Sequence, residues 1–371
     1  MAVNGLNQTI ISNQTSENVF GRDWYVKRFM HILYCVLATT AIIGNALVCI
    51  VILTIKNGKM LKSGLNLLIL SMAIMDTMTG IVMFIVPSFA IPASDYIYPT
   101  GNVTGMLFCR IIATQYIFFF FGFGSVFTIT AIAIERWVAI ARPYTYRKII
   151  TLKRTKIFLT GLWTINILIP LDIVFQMDFI GNEQPPCKWN NFVRERPGIY
   201  FFTILEMIRM FIPVIVIIGC YTDIAKRIIY AAPRPKIHQS FPRPFASRRS
   251  TNSINTRRKV TIMVAISALG FITCWLPNEL YYTLYAFNVV KSINVDITRT
   301  TKTLIVTSSC LSPLIYTAAN DDYRKGIWQF FNYCRATKLP LHSVHHVRNV
   351  IAPLNISKNV STPPAYETEK Q

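Results

Sequence analysis

The chain has 371 residues, 52% of them hydrophobic, and a formal net charge of +21 at pH 7. A water-soluble protein of this length has no need of so much apolar side chain in long unbroken blocks, so a soluble globular fold is set aside. The charge alone suggests a nucleic-acid binder, but its placement along the chain excludes that partner.

Residues 1–27 lack the apolar core of a cleaved signal peptide, so the first span is read as the anchor. They carry the glycosylation acceptors Asn7-Gln8-Thr9 and Asn13-Gln14-Thr15. Seven blocks then reach the roughly 20 apolar residues that cross a bilayer as helix. They cover about 29–55, 65–90, 107–134, 156–176, 199–222, 260–287 and 300–319. The last (TTKTLIVTSSCLSPLIYTAA) is the least apolar. The predicted fold class is an all-α membrane protein, a seven-transmembrane helix bundle with a short amphipathic helix after the seventh span. The predicted domains are a glycosylated extracellular N-terminus (1–27), the bundle (28–320), the amphipathic helix (321–334) and a disordered tail (335–371).

The charges give the sidedness. The first loop (Lys56, Lys59, Lys62) and the third (Arg142, Arg147, Lys148, Lys153, Arg154, Lys156) are purely basic. The fifth carries ten basic residues from Lys226 to Lys259 and no acid after Asp223. The even loops mix signs, as in Asp178, Glu183, Lys188, Arg194, Glu195 and Arg196. Positive residues stay inside, so the odd loops and C-terminus are predicted cytoplasmic and the N-terminus extracellular. Basic loops beside anionic lipid account for the net charge without nucleic acid. Asn102, in Asn102-Val103-Thr104, joins Asn7 and Asn13 on the predicted outside. Of the eight cysteines only Cys109 and Cys187 fall at the outer face, where disulfides persist. Bridging them would pin the second outer loop over the third span.

Span one carries Gly44-Asn45, and span two carries Asp76 near its centre. A carboxylate at that depth is expensive and marks function by default; the plainer reading is a protonated Asp that joins helices. The third span runs uncharged from Ile111 to Ile134, opened by Cys109 and closed by Glu135-Arg136-Trp137. Read as one helix, the 27-residue step from Cys109 to Arg136 covers about 40 Å, from one interface to the other. Span four has Trp163 and Pro170, and span five has Glu206, Arg209, Pro213 and Tyr221. Span six has Cys274-Trp275-Leu276-Pro277 followed by Glu279, and span seven ends in Ser312-Pro313-Leu314-Ile315-Tyr316. Beyond it, Tyr323, Ile327, Phe330 and Phe331 recur at helical spacing with charges opposite, which predicts the amphipathic helix on the inner leaflet. Cys334 follows, a candidate for palmitoylation or a plain free thiol.

These residues, in this order, resemble the rhodopsin-like (class A) G-protein-coupled receptors over about residues 28–334. The resemblance rests on Gly44-Asn45, Asp76, Cys109, the Glu-Arg-aromatic end of span three, Trp163, Pro213 with Tyr221, Cys274 to Pro277, and Pro313 with Tyr316. It implies a plasma-membrane receptor that is not an enzyme, and no HExxH, GxSxG or clustered His/Cys ligand set is seen. It implies an extracellular ligand and a heterotrimeric G protein as partners, with arrestin and receptor kinases. Arg136 would pair with Glu135 at rest and turn to Tyr221, Tyr316 and the G protein on activation. Trp275 beside the Pro277 kink would sit under the ligand and let span six swing. Asp76, Ser125, Ser309 and Ser312 would hold a sodium ion that favours the closed state.

Departures from the pattern carry expectations of their own. Ser312 stands where the family has Asn, which puts sodium affinity and the seventh-helix switch in question, and Trp137 replaces the usual Tyr. The inner end of span six reads Arg257-Arg258-Lys259, so no acid there can hold Arg136, and a weaker resting restraint with some basal signalling is expected.

For the ligand, exclusions come first. Val306 stands where opsins carry their lysine, and Phe118 where amine receptors carry an aspartate. The outer halves of the spans offer Gln115, Phe118, Glu206, Arg209, Asn278, Glu279, Tyr282, Tyr285, Arg299 and Lys302 as candidate ligand contacts. Glu206 and Arg209 are three residues apart on one helix face, so they either pair with each other or serve the ligand. Both signs of charge with several Tyr suit a peptide, a neuropeptide or peptide hormone. The alternatives are a small organic acid around Arg209, Arg299 and Lys302, a lipid, or, in another class, an ion or proton transporter using Asp76.

Overall fold

The computed structural model describes residues 2–54, 60–92, 95–181, 183–230, 247–319 and 321–337. Side chains before residue 28, at 247–258 and at a few helix ends, including 334, lie outside the description. The expectations on Asn7, Asn13, Arg257, Cys334 and the tail fall there.

The described residues are almost wholly helical, as a lipid-embedded backbone must be when no water is present to satisfy its N–H and C=O groups. The helices are α1 (Ala2–Thr54), α2 (Gly64–Val82), α3 (Asn102–Phe108), α4 (Tyr116–Ala141), α5 (Pro143–Ile149), α6 (Leu152–Ile165), α7 (Gly198–Glu206), α8 (Ile212–Tyr230), α9 (Ser247–Ala286), α10 (Val295–Ala319) and α11 (Asp321–Thr337). Two strands, β1 (Met177–Phe179) and β2 (Cys187–Trp189), form an antiparallel hairpin with Met177 opposite Trp189.

Among the described residues, five helical stretches are long and apolar enough to cross a membrane: Arg28–Thr54, Gly64–Val82, Asn102–Ala141, Gly198–Ile228 and Lys259–Ala286. The two others of the seven fall short for different reasons. α6 has only 14 residues before turns lead into Pro170 and a short 3₁₀ helix, Leu171–Phe175. α10 carries Asp296, Arg299 and Lys302 in its first turns.

α4 is the axis of the bundle. It packs against α2, α6, α8 and α9, while α1 packs against α2 and α10, and α10 against α9. Its inward face recurs at helical spacing through Phe118, Gly122, Ser125, Ile129, Ile132 and Arg136. The outward faces stay apolar, with Phe29, Ile32, Val36 and Ile43 of α1 exposed as side chains that meet lipid tails. Gly44 brings α1 against α10: a Cβ there would stand 2.8 Å from Pro313 Cγ.

The expected continuous third span is corrected in one place. Between α3 and α4 the chain makes a π-helical turn at Cys109–Ala113, and Gln115 takes a left-handed conformation with φ 67°. The wider turn and the reversed residue rotate everything beyond them relative to a straight helix. α2 likewise ends at Val82, short of the expected 90. Pro87 has no N–H for a further turn and disfavours helix in the residue before it. Ser88 follows at φ 75°, and Ser88 N–H bonds Ile91 O at 2.9 Å.

Candidate functional site

Three polar sets lie along the bundle, and the first lies under the hairpin. Cys109 and Cys187 are disulfide-bonded with their Cα atoms 5.3 Å apart. The bond holds β2 against the top of the third span, and Phe179 of β1 packs over Gly105. Beneath it is a cavity of about 40 Å³ lined by Gln115, Phe119, Phe123, Gln176, Trp189, Phe202, Arg209, Asn278, Glu279, Tyr282 and Lys302, with Thr114 and Ile173. Drug-sized ligand pockets run to roughly 300–1,000 Å³, so in this state the cavity admits one small group.

Arg209 anchors the cavity floor. It lies in a second π-helical turn, Met207–Phe211, between α7 and α8. Its Nη1 donates to Asp172 Oδ1 at 2.7 Å. Its Nε and Nη2 donate to Glu206 Oε2 at 2.8 and 2.7 Å. The guanidinium also lies over the rings of Phe123 and Phe202, 4.9 and 5.3 Å from their centroids. All three charged residues are buried. The pairing of Glu206 with Arg209 weighed from their spacing is therefore present, and Asp172, which no spacing singles out, completes it. Glu279 adjoins Glu206 and accepts a hydrogen bond from Asn278 Nδ2 at 3.0 Å. Glu206 is itself hydrogen-bonded to the Glu279 carboxyl, and its Oε1 accepts from no N–H or hydroxyl.

Across the cavity, Lys302 Nζ donates to Gln115 Oε1 at 2.9 Å. The left-handed turn at Gln115 aims that side chain inward, a case of backbone strain placed at a site. Asn278 Oδ1 accepts from Thr301 Oγ1 at 2.9 Å, so α9 and α10 are tied beside Lys302.

Four of the predicted ligand contacts are outside the cavity lining: Phe118, Glu206, Tyr285 and Arg299, with Glu206 bound to Arg209 and Glu279. Phe118 is fully buried against Phe89 and does not line the cavity; Phe119 does. The π turn and left-handed Gln115 set that register. Arg299 is outside the lining too: its guanidinium bonds Asp296 one turn earlier, at 3.2 Å, where water reaches both. Tyr285 lies under the guanidinium of Arg194, 4.5 Å from its ring centroid. A larger apolar groove of about 650 Å³ opens sideways between α4 and α6, lined by Phe127, Ile134, Phe158 and Leu162 among others. At one end it reaches Glu135.

The second set is at mid-bundle. Asp76 Oδ1 accepts from Ser125 Oγ at 2.9 Å and Ser309 Oγ at 3.1 Å. Asn45 Nδ2 donates to Ser309 O at 2.8 Å, and Asn45 Oδ1 is buried without a partner. Ser312 is buried on the same helix but is not among Asp76's hydrogen-bond partners. Between this set and the cavity, Trp275 donates Nε1–H to Ser308 Oγ at 3.0 Å and packs on Phe123 and Phe271.

The third set closes the far end. Arg136 Nε and Nη2 both donate to the Glu135 carboxylate, the latter at 2.5 Å. Tyr146 on α5 donates its hydroxyl to Glu135 Oε1 at 2.5 Å. Tyr221 faces the pair, and its hydroxyl has no hydrogen-bond partner. Trp137 Nε1–H donates to Asp223 Oδ2 at 2.8 Å, and Arg227 Nε donates to the same oxygen at 2.7 Å. Tyr146 and Asp223 went unnoticed in the sequence because their partners lie 11 and 86 residues away. Tyr316 is buried, its ring centroid 6.0 Å from that of Tyr323. Asn102 is exposed at the first turn of α3.

Comparison with known proteins agrees with this layout. The chain is 26% identical to galanin receptor 2a of Danio rerio over 343 residues, covering 89% of this chain and 85% of that one. It is 28% identical to somatostatin receptor type 2 of Mus musculus (87% and 79% covered) and 24% identical to the allatostatin-A receptor of Bombyx mori (81% and 78%). In fold it is similar to the crystal structure of squid rhodopsin, with a TM-score of 0.66 at 18% identity, covering 90% of this chain and 93% of that one. Residues 44–316 match the family described as 7 transmembrane receptor (rhodopsin family). That match spans well over half of the chain, and the chain belongs to the rhodopsin family of seven-transmembrane receptors, a class A G-protein-coupled receptor.

Proposed function

We propose that this receptor responds to an extracellular peptide, of the neuropeptide or peptide-hormone kind, and passes the signal to a heterotrimeric G protein. The observation that carries the reading is a cavity lined by both signs of charge, Arg209 and Lys302 against Glu279, in a chain whose relatives include receptors named for galanin, somatostatin and allatostatin-A. The disulfide-bearing end faces outward in this reading and the Arg136 end inward, in keeping with the basic odd loops. The hairpin roofs the cavity, so the peptide engages Trp189 and the loops first and inserts one residue below.

The small-acid alternative has less support. Arg209, the innermost cation, is already matched by Asp172 and Glu206, and Arg299 by Asp296, which leaves Lys302 alone of the three without an ion pair among the described residues. Family membership sets the transporter reading aside.

The mechanism follows from the three sets. Binding favours whichever bundle state it contacts better. Pro277 in α9 removes one helix hydrogen bond, and the helix bends there at low cost. Trp275, two residues before it, couples that bend to Ser308 of α10. Outward swing of the inner half of α9 would open a groove for a helix of the G protein. Arg136 would leave Glu135 and meet Tyr221, whose free hydroxyl is suited to receive it.

The residues around Asp76 fit a sodium ion. The set is a carboxylate, two hydroxyls and the orphan Asn45 Oδ1, all hard oxygen donors. Asp76, Ser125 and Ser309 would hold the ion, with Ser312 at their edge. When bound it supplies charge compensation for Asp76 and holds α2, α4 and α10 together.

The test is expression in cells carrying G-protein dissociation sensors, with a peptide library applied to wild type and to Arg136→Ala. A peptide response absent from Arg136→Ala, at equal surface amounts, supports the reading. A full response to a small acid, with none to any peptide, rejects the peptide assignment.

A further inference from the structure

The cavity under the hairpin holds two charged groups that the protein leaves unmatched, and they are of opposite sign. Lys302 is half-buried and has Gln115 Oε1 as its polar partner; among the described residues it makes no ion pair. On the other wall, Asp172, Glu206 and Glu279 surround the single guanidinium of Arg209. Glu279 lines the cavity, accepting from the Asn278 amide, and is hydrogen-bonded to the Glu206 carboxyl behind it. With one proton shared between Glu206 and Glu279, the three carboxyls still carry one more negative charge than Arg209 balances, which costs free energy in such a place unless a guest offsets it. An ammonium held by one neutral amide oxygen is in the same position.

Room for the guest is small. With about 40 Å³ between the two walls in this state, the end of one residue enters only as the walls part, and a folded segment does not. Both charges must therefore belong to the same residue of the ligand. We propose that the cavity takes a terminal residue of a peptide in doubly charged form, its cationic group against Glu279 and its carboxylate against Lys302. The inference rests on the peptide-receptor reading and narrows it. Two kinds of terminus present this chemistry: a C-terminal Arg or Lys with a free carboxylate, and an N-terminal Asp or Glu with a free amine. An amidated C-terminus or an acylated N-terminus loses one of the two charges.

Neutral substitution of either wall separates the contributions. Lys302→Met keeps the aliphatic stem and removes the ammonium; Glu279→Gln keeps the shape and the Asn278 contact. The full chain would be reconstituted in nanodiscs and its thermal unfolding followed with four probes. N-acetylarginine carries guanidinium and carboxylate, its amide carries guanidinium alone, N-acetylnorleucine carries carboxylate alone, and aspartic acid α-methylamide carries amine and carboxylate. In wild type, N-acetylarginine or aspartic acid α-methylamide should stabilise at concentrations about tenfold lower than the singly charged probes. Which of the two does so identifies the kind of terminus. In Lys302→Met the advantage of the carboxylate should vanish, and in Glu279→Gln that of the cation. Lys302→Arg, which keeps a cation, should retain the carboxylate preference, and this guards against misfolding of the Met variant.

The proposal is overturned if the singly charged probes stabilise as well as the doubly charged ones. It is equally overturned if the preference survives both substitutions, or if no probe acts up to tens of millimolar. Failure here is distinguishable from failure of the peptide reading. A cell response to peptides with neutral ends would leave a peptide receptor and remove this socket.

Discussion

Removing one carboxylate from the Arg209 cluster gives a direct test of the site. Asp172→Asn keeps the volume and an oxygen for Arg209 Nη1 but deletes a charge that is fully buried. Breaking a buried ion pair from one side costs about 3–5 kcal/mol, because the remaining charge is left without compensation. Arg209 retains Glu206 Oε2 at 2.7 Å, so the lower end, about 3 kcal/mol, is expected. At roughly 2–4 °C per kcal/mol for a domain of this size, the unfolding midpoint should fall by about 6–12 °C. Arg209→Met is the harsher change: Asp172, Glu206 and Glu279 would face one another with no cation, and little receptor should reach the cell surface. Glu206→Gln is the mild one, since it weakens one contact to Arg209 while ending the opposition of Glu206 and Glu279; a net effect within about 1 kcal/mol is expected. The assay is the thermal midpoint of ligand-free receptor in mild detergent at fixed salt. The reasoning fails if Asp172→Asn stays within about 2 °C of wild type, or if Glu206→Gln costs more than Asp172→Asn.

The other expectations lie along the same axis. Tyr146→Phe removes a hydrogen bond to the Glu135 carboxylate, a loss of about 1.5 kcal/mol and so up to tenfold in the resting-to-active ratio; basal G-protein output at matched surface amounts should rise, and an unchanged output would show that α5 does not restrain Arg136. Asp76→Asn should abolish any difference in thermal midpoint between sodium and choline chloride, whereas Ser312→Ala should leave most of it, because Ser125 and Ser309 are the hydroxyls on the carboxylate. Gly122→Ala would drive a Cβ into Trp275 Cη2, an overpacking cost of about 1–3 kcal/mol; Trp275→Leu in the same background should recover the midpoint, and failure to do so would place the clash elsewhere.

The parts of this fold that the sequence makes legible are those the membrane dictates. Seven apolar blocks must be helices because lipid offers no partner for the backbone. The i, i+3 spacing of Glu206 and Arg209 forces two charges onto one helix face, so their pairing could be weighed in advance. Asp172 could not be placed in this way. It follows Pro170, off the regular helix, and meets Arg209 from 37 residues away. The register of the third span is similarly silent: nothing in CRIIATQY announces a π turn and a left-handed Gln, yet these put Phe119 rather than Phe118 into the cavity. Arg299 and Lys302 share a helix face by spacing and still part company, because Asp296 one turn earlier captures Arg299.

The cavity and Trp275 are linked by contacts that run through one ring. Arg209 lies 4.9 Å from the centroid of Phe123, and Phe123 lies 5.3 Å from that of Trp275. Adjacency alone does not carry a signal; an element with two arrangements is needed. α9 supplies it at Pro277, and the cavity groups Asn278 and Glu279 follow directly on that proline. Arg209, held by two carboxylates from different elements, is the fixed side. A cation drawn to Glu279 would therefore move α9 against a stationary Phe123, and Trp275 would have to repack. Phe123→Leu and Trp275→Phe, singly and together, test this through basal output and agonist potency. Residues coupled through a shared rearrangement depart from additivity by about 0.5–3 kcal/mol. Additive effects within about 0.3 kcal/mol would mean that the ring contact is packing and that the signal leaves the cavity by another route, with the Asn278–Thr301 bond to α10 as the next candidate.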